Sequence, residues 1–251
     1  MFTAKFDDAK TWQALTSAIS ALVDEANFEV SPKGMTLRAM DPSRIAMVDF
    51  ELPKSAFSHY ECDEEGKVGI NLDEMEKIVK RAGTGNSLEL GVDREKNQLK
   101  LTLEGRTRRT FSIGLIDLGV ERPPTLSVEF DVSAKVTADT LKEVIQDADV
   151  ISDFIALDGA PDALTFSARG DTGNLQIRLT KDEEALLEYK VKKPAKSMYA
   201  LEYLNDMIKA VAASDTVQLE FGKGTPIKLV FTVSGGGHIT YYLAPRVEEE
   251  F

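Results

Sequence analysis

The sequence contains an internal duplication. Adding 129 to a residue number in the first half of the chain reaches a residue of similar character in the second half. The pairs include Thr11 and Thr140, Leu15 and Val144, Leu22 and Ile151, Phe28 and Leu157, Pro32 and Pro161, Val48 and Ile177, Leu72 and Leu201, Lys80 and Lys209, and Leu90 and Leu219. One residue is then lost, so that Leu115 corresponds to Leu243. A constant offset over about eighty residues predicts two copies of one domain, because such a match is hard to obtain by chance.

Each copy begins with a strand and an amphipathic helix. Apolar residues recur there at helical spacing, which predicts a long helix with one buried stripe. The stripe consists of Trp12, Leu15, Ile19, Leu22, Val23 and Ala26 in the first copy and of Leu141, Val144, Ile145, Ala148 and Ile151 in the second. Apolar residues alternate after each helix, from Met35 to Leu52 and from Leu164 to Leu179, and this period predicts half-buried strands.

A second helix and further strands complete each copy. The buried side of this helix is predicted to contain Leu72, Met75, Ile78, Val79 and Ala82, and in the later copy Leu201, Leu204, Ile208 and Val211. The closing strands are predicted at 87–92, 98–104 and 107–115, then at 216–221, 227–233 and 238–243. The order strand, helix, strands, helix, strands predicts an α+β fold with helices on one face of antiparallel sheet.

A segment rich in structure breakers separates the two copies. Gly119 and the Pro123–Pro124 pair continue neither the helical nor the strand pattern, so the segment is predicted to be an extended surface linker. The predicted boundaries are an N-terminal domain over 1–118, a connecting linker over 119–127 and a C-terminal domain over 128–251.

Composition limits the chemistry that the chain can perform. A single cysteine, Cys62, excludes an internal disulfide and a cysteine-based metal site, and His59 and His238 are the only histidines. We therefore expect no metal and no cofactor. The N-terminus lacks a positively charged segment followed by a continuous apolar stretch, and the apolar runs are short. We expect neither a signal peptide nor a membrane span, and hence an intracellular protein.

Four stretches of the chain resemble the proliferating cell nuclear antigen family in its archaeal form. They are Leu37–Arg44 (LRAMDPSR), Gly69–Leu72 leading into a helix with Lys77 and Lys80, Tyr203–Asn205, and the tail Tyr241–Glu249. The resemblance covers essentially the whole chain and coincides with the duplication. It implies a DNA sliding clamp built from two clamp-fold domains per subunit. Three subunits would close into a ring with the sheets outside and the helices lining the hole.

The resemblance also implies the partners of the chain. They are double-stranded DNA, bound without sequence preference, and further subunits in a trimer. DNA polymerase, the clamp loader replication factor C, flap endonuclease and DNA ligase would dock through short peptide motifs. Such a clamp has no catalytic site; it raises the processivity of the replicative polymerase and serves as a docking platform for repair enzymes. An archaeal member would be cytoplasmic, and a eukaryotic one nuclear.

The net charge of −12 at first argues against a nucleic-acid partner. An acidic exterior combined with a locally basic DNA-facing surface gives the same total, however. The helix faces opposite the apolar stripes carry Lys10, Lys77, Lys80, Arg81, Lys142 and Lys209, which are the candidate DNA-facing residues. Acidic residues share these faces, so a solvated helix face of mixed charge is the alternative interpretation. Weak, salt-sensitive contact with phosphates suffices for a ring that slides.

The partner-peptide pocket of the family corresponds to apolar residues from a loop, the linker and the tail. They are Met40, Ile45, Met47, Pro124, Leu126, Pro226, Tyr242, Leu243, Ala244, Pro245 and Val247. Thioether, aliphatic and aromatic groups together form a surface that accepts an apolar plug from many partners. Core packing is the alternative for any one of them, Ile45 and Leu243 in particular. The Pro123–Pro124 pair departs from the more usual linker pattern of the family.

An acidic stripe predicts one side of the contact between subunits. Asp139, Glu143 and Asp147 follow one another at a spacing of four residues along one helix face, and they repel each other unless basic groups face them. We hypothesise that Lys80, Arg81 and Arg109 of a neighbouring subunit do so. Because exposed ion pairs contribute little, the trimer should depend mainly on strand pairing between 109–113 and 176–180, which includes Ile177.

Three alternatives to a replicative clamp can be compared with the sequence. The stretch Ser234–His238 (SGGGH) resembles a phosphate-binding loop of an enzyme, but such a loop should open a helix, whereas the residues after it alternate as a strand. We therefore predict a hairpin turn there and no enzyme. The second alternative is a checkpoint-type or specialised clamp subunit that works in a heterotrimer. The third is a scaffold that binds peptides without DNA.

Overall fold

The structure is a computed structural model that describes residues 2–119, 122–171 and 173–246. The chain divides into two compact units of similar size. The first unit comprises Met1–Pro42, Val48–Pro123 and Val233–Ile239, and the second comprises Ser43–Met47, Pro124–Thr232 and Thr240–Phe251.

The first unit contains two helices and strands of two sheets. Its elements in chain order are β1 (Phe2–Phe6), α1 (Ala9–Ser20), β2 (Glu25–Ser31), β3 (Gly34–Met40), β4 (Ala46–Pro53), a 3-10 helix (Lys54–Ala56), β5 (His59–Cys62), β6 (Gly66–Asn71), α2 (Leu72–Val79), β7 (Ser87–Asp93), β8 (Gln98–Glu104) and β9 (Arg108–Gly114). One sheet has the strand order β5-β1-β7-β8-β9, which places β9 at its edge. In the other sheet, β4, β3, β2 and β6 lie side by side in that order.

The second unit repeats this plan. Its elements are β10 (Val132–Thr137), α3 (Ala138–Asp149), β11 (Phe154–Ala160), β12 (Ala163–Gly170), β13 (Gly173–Thr180), β14 (Leu186–Val191), β15 (Ala195–Ala200), α4 (Leu201–Met207), a 3-10 helix (Ile208–Ala213), β16 (Thr216–Phe221), β17 (Ile227–Val233) and β18 (Gly237–Leu243). One sheet has the order β13-β12-β11-β15, with β13 at its edge, and the strands β14-β10-β16-β17-β18 are neighbours in the other. The predicted α+β fold is confirmed.

The predicted duplication is visible in the bounds of the elements. Helices α1 and α3 begin and end 129 residues apart, and so do strands β6 and β15. A pair of tyrosines that sequence analysis missed obeys the same offset. The Tyr60 hydroxyl lies 2.8 Å from the carbonyl oxygens of both Ser31 and Gly34, at the turn between β2 and β3. The Tyr189 hydroxyl lies 2.7 and 2.8 Å from the carbonyls of Ala160 and Ala163, at the equivalent turn.

The helices pack in pairs, α1 with α2 and α3 with α4. Both helices of the first unit begin with a side-chain cap, since the carboxylate of Asp8 accepts from the N–H of Lys10 and Asn71 accepts from the N–H of Glu74. The pairing of α1 with α2 centres on Trp12, whose ring nitrogen lies 3.3 Å from the sulfur of Met75. This packing buries Trp12 and leaves most charged residues of the helices exposed, with Glu76 and Asp206 half-buried.

The first helices of the two copies are shorter than predicted. Helix α1 ends at Ser20, so that Leu22 and Val23 lie in the following turn and Ala26 lies in β2. All three are buried, but the chain brings them to the core by turning and by starting a strand. The spacing of buried residues across a turn can match a helical period, which explains why the stripe appeared continuous. Ile151 likewise follows the end of α3.

The glycine run forms the predicted hairpin turn. Strand β17 ends at Val233 and β18 begins at Gly237. Between them Gly235 and Gly236 have φ angles of +85° and +88°, a region that glycine adopts without strain. A side chain at Gly235 would also meet the backbone of Ala56 at 2.5 Å. The run therefore serves a tight turn between strands and opens no helix.

Candidate functional site

The candidate docking surface consists of apolar residues that remain exposed. Among the described residues, five large apolar side chains are exposed, and Met40 (38%), Ile45 (41%) and Leu126 (38%) belong to the predicted peptide pocket. Tyr242, Pro245 and Pro226 are half-buried, and Pro124 is exposed. Adaptable apolar groups held in solvent are typical of a surface that binds a partner.

The loop before β4 and the tail after β18 meet within the second unit. The N–H of Ala244 donates to the carbonyl of Ile45 over 2.9 Å. Arg44, directly before Ile45, has a φ angle of +59°, which is uncommon for a residue other than glycine. This bond holds the backbone beside the exposed Ile45 side chain. Met47 and Leu243 differ from Ile45, because both are buried and serve the core.

A further contact positions the loop before Pro226 in the second unit. The buried Tyr199 hydroxyl donates to the carbonyl of Thr225 over 3.0 Å and so holds the loop that carries Pro226. Burial raises the pKa of Tyr199 to about 12, so this donor stays protonated at neutral pH. The predicted pocket residue Val247 lies outside the described residues.

The start of the linker is held by an ionic network within the first unit. Arg38 donates from two nitrogens to Asp49, at 3.0 and 2.6 Å, and from a third to the carbonyl of Pro123 at 3.4 Å. Arg122 pairs with Glu29 at 2.7 Å. Gly119 and residues 122–127 adopt neither helix nor strand, and Val120 and Glu121 of the predicted linker lie outside the described residues. Sequence analysis did not predict this network, because its members are far apart in the chain.

The candidate DNA-facing residues are all exposed on helices or at their ends. Lys10 lies in the first turn of α1, Lys142 lies on α3, and the others lie on or just after the second helix of their unit. Lys80 pairs with Glu76 at 2.9 Å and Lys209 with Asp206 at 2.8 Å, each within its own helix region. Lys10, Lys77, Arg81 and Lys142 make no ion pair in the described parts of the chain. Four of the six candidate cations are therefore unpaired in the described structure, on helix faces that also carry acidic residues.

The candidate subunit contacts include two open sheet edges. Strand β9 lies at the edge of its sheet, and Ile113 is its single buried residue. Strand β13 lies at the edge of its own sheet, with Leu179 buried and Ile177 half-buried. The free N–H and C=O groups of an edge strand can pair with another chain. These edges are the strands that sequence analysis proposed for the contact.

The charged residues proposed for the same contact differ in how free they are. Asp139, Glu143 and Asp147 are exposed along α3. Arg109 is half-buried and already donates to Asn86 at 2.9 Å. Its buried Nε has no hydrogen-bond partner in the described structure. Arg109 is thus held in place by its own subunit.

The comparisons with known proteins cover the whole of this architecture. Residues 1–122 match the family model for the N-terminal domain of proliferating cell nuclear antigen, and residues 126–246 match that for its C-terminal domain. The chain belongs to the proliferating cell nuclear antigen family. Membership in this family supports the expectation that the chain is not an enzyme.

Relatives in this family match over nearly full length. DNA polymerase sliding clamp 1 of Thermococcus kodakarensis is 39% identical over 248 residues, 99% of each chain. The DNA polymerase sliding clamp of Thermofilum pendens is 36% identical over 97% of this chain and 98% of its own. The crystal structure of the family member from Thermococcus kodakaraensis superposes with a TM-score of 0.94 at 32% identity, and a chain of the PCNA2–PCNA3 complex from Sulfolobus tokodaii with 0.91 at 32%. Each covers 98% of this chain and 100% of its own.

No described helix combines the length and apolar character needed to span a membrane. No group of three or more His, Cys, Asp or Glu side chains among the described residues is placed to hold a metal ion.

Proposed function

We propose that this chain is one subunit of a DNA sliding clamp, a ring of three subunits that encircles duplex DNA and tethers replication and repair enzymes to it. The observation that carries this proposal is the match to both family domains, in order and over nearly the whole chain, with relatives named as DNA polymerase sliding clamps. The open edges of β9 and β13 support ring closure, because each subunit offers one unpaired edge strand from each of its two copies of the repeat.

The proposed contact with DNA uses Lys10, Lys77, Arg81 and Lys142, which make no ion pair in the described structure, together with the repeat-equivalent Lys80 and Lys209. Because acidic residues share these helix faces, the grip on phosphates is weak and depends on salt. A topological link needs no more, since the ring must move along the duplex. Sequence-independent sliding follows from phosphate contacts that read no bases.

The proposed docking surface receives short peptides from DNA polymerase, the clamp loader replication factor C, flap endonuclease and DNA ligase. Its exposed anchors are Met40, Ile45 and Leu126, with Tyr242 and Pro245 beside them in the tail. We propose a cytoplasmic location, since the relatives named here are archaeal. The proposal also includes a linker over 119–127 that separates a clamp domain over 1–118 from a clamp domain over 128–251.

Loading onto circular DNA tests the central proposal. Purified protein is incubated with nicked circular DNA, a clamp loader and ATP, and DNA-bound protein is separated by gel filtration. We expect a stable complex that is lost when a restriction enzyme linearises the DNA, because a ring slides off a free end. Retention on linear DNA would show simple adhesion and reject the clamp. Light scattering on the same sample should give the mass of three 27.6 kDa chains; assembly only with a second chain would favour a heterotrimer subunit.

A further inference from the structure

A polar groove lies on one face of the sheet β13-β12-β11-β15. Helix α3 packs against β11, β12 and β13, and α4 packs against β15, so the helices cover the side of the sheet that buries Ile155 and Leu157. Side chains alternate between faces along a strand, so Phe154 and Ala156 point to the other side. The groove on that side is open to solvent and has a volume of about 490 Å³. It lies entirely within the second unit.

The register of the strands brings polar side chains together in this groove. Ser167 in β12 pairs with Ala156 in β11 and with Gln176 in β13. Ala156 also pairs with Met198 in β15. Three basic residues line the groove, namely Arg169, Lys196 and Arg246. None of the lining residues is Asp or Glu. This is a local excess of positive charge in a chain whose net charge is −12.

The three cations have no acidic partner in the described structure. None of them forms an ion pair there, and all three are exposed. The acidic neighbour on this face is Asp158, which lies opposite Lys196 in the strand register and does not line the groove. The groove therefore presents uncompensated positive charge, together with amide and hydroxyl groups that can donate hydrogen bonds.

Two contacts order Arg246. Its guanidinium carbon lies 3.7 Å from the centre of the Phe154 ring, and its backbone N–H donates to the carbonyl of Met198 over 2.8 Å. Stacking holds the plane of the guanidinium and leaves its N–H groups at the rim free to form two parallel bonds to one carboxylate. A side chain that is already ordered loses less entropy on binding.

We propose that this groove binds an acidic segment of the partner peptides that dock on the neighbouring apolar surface. The inference rests on the proposed docking function, because Ala244 and Pro245 of that surface directly precede Arg246 in the chain. Two extended residues span about 7 Å, so carboxylates within a few residues of the apolar plug of a partner reach the groove. A concave site lined by three cations suits a flexible peptide better than the rigid line of phosphates of a duplex.

Fluorescence anisotropy with two labelled peptides tests the proposal. The probes are hexaglutamate and hexaglutamine, added to the full chain at about 0.05 M salt, where charge screening is weak. We expect hexaglutamate to bind at least about tenfold tighter than hexaglutamine. Arg246→Gln should weaken hexaglutamate about tenfold, and Arg246→Lys should recover only part of the loss, because lysine keeps the charge and loses the bidentate fork. Arg94→Gln, at an exposed arginine of the first unit, is the matched control and should change nothing.

Several outcomes would overturn the proposal. They are equal affinity for both peptides, an equal loss in the Arg94 variant, and displacement of hexaglutamate by duplex DNA that depends on Arg246. A chain shortened after Val247 should bind hexaglutamate within about threefold of the full chain; a gain of tenfold or more would make the chain's own Glu248–Glu250 the occupant. The anisotropy measurement uses neither DNA nor a clamp loader, so a failure of DNA loading rejects the clamp without changing this result.

Discussion

The two copies of the repeat differ most at two pairs of equivalent strands. Strand β4 of the first copy buries five residues, whereas its equivalent β13 buries Leu179 alone. The reverse holds for the last strands, because β18 of the second copy buries five residues and its equivalent β9 buries only Ile113. Each of these two strand positions in the repeat is therefore largely buried in one copy and largely exposed in the other.

This difference bears on the proposed contact between subunits. An open edge strand is a liability that monomeric proteins avoid by charge, bulges or cover. The repeat shows that both strand positions are compatible with burial, since β4 and β18 are buried. We infer that β9 and β13 are left open for assembly, which agrees with the contact proposed from the sequence.

The cores of the two copies also differ, in chemistry more than in shape. The first unit clusters Phe6, Trp12, Phe28, Phe50 and Phe57 through ring contacts of 4.8 to 6.4 Å between centroids. The repeat equivalents of Trp12, Phe28 and Phe50 are Leu141, Leu157 and Leu179. The same apolar positions are therefore filled by aromatic groups in one copy and by leucine in the other.

The largest expected effect comes from placing a charge at equivalent positions of the covered and open strands. Val48 in β4 is completely buried, so Val48→Asp should cost about 4 kcal/mol or more and prevent folding. Ile177 in β13 is half-buried at the edge, so Ile177→Asp should leave the subunit folded and abolish the trimer. Circular dichroism and light scattering measure the two outcomes. A folded trimer of the Ile177 variant would remove β13 from the subunit contact.

The next effect compares the aromatic core with the aliphatic one. Trp12→Ala should lower the free energy of unfolding by about 3–5 kcal/mol, and Leu141→Ala by about 2–5 kcal/mol, because each leaves a cavity. Both side chains are almost completely buried. Urea unfolding followed by circular dichroism measures the change, with Trp12→Phe as the control that keeps most of the volume. If Leu141→Ala cost clearly more than Trp12→Ala, the aromatic cluster would not be the better-packed core.

The sequence was sufficient for the fold and insufficient for the fine geometry of the site. The offset of 129 and the periodicities predicted each class of element, because buried faces repeat along the chain. They missed the end of α1, since Leu22 and Val23 are buried by a turn as readily as by a helix. They also could not separate Ile45 from Leu243, both apolar, because exposure depends on tertiary packing. The tyrosine pair Tyr60 and Tyr189 was detectable, since the offset links the two.

Charge reversal on α3 should have a moderate effect on assembly. Glu143 and Asp147 are exposed, and each exposed ion pair contributes about 0.2–1 kcal/mol, so changing both to Lys should weaken subunit association about 2- to 30-fold. The loss should shrink at high salt, where the charges are screened. Analytical ultracentrifugation measures association, and reversal of Glu64 and Glu65, exposed acids of the first unit, is the matched control. A trimer as tight as that of the unaltered chain would reject the ion-pair hypothesis.

The smallest effect should be the same in both copies. Tyr60→Phe and Tyr189→Phe each remove a hydroxyl that donates at the same hairpin turn, at about 1 kcal/mol of unfolding free energy apiece. Burial raises the pKa of both tyrosines from 10.0 to about 12, because it disfavours the phenolate. The folded pKa lies above the unfolded one, so this stabilisation is complete below pH 10 and is lost as the pH rises towards 12. Each variant should therefore lose less stability than the unaltered chain between pH 9 and pH 11 in urea titrations. If the two variants lost different amounts of unfolding free energy, the equivalent hydrogen bonds would not contribute equally to the stability of the two copies.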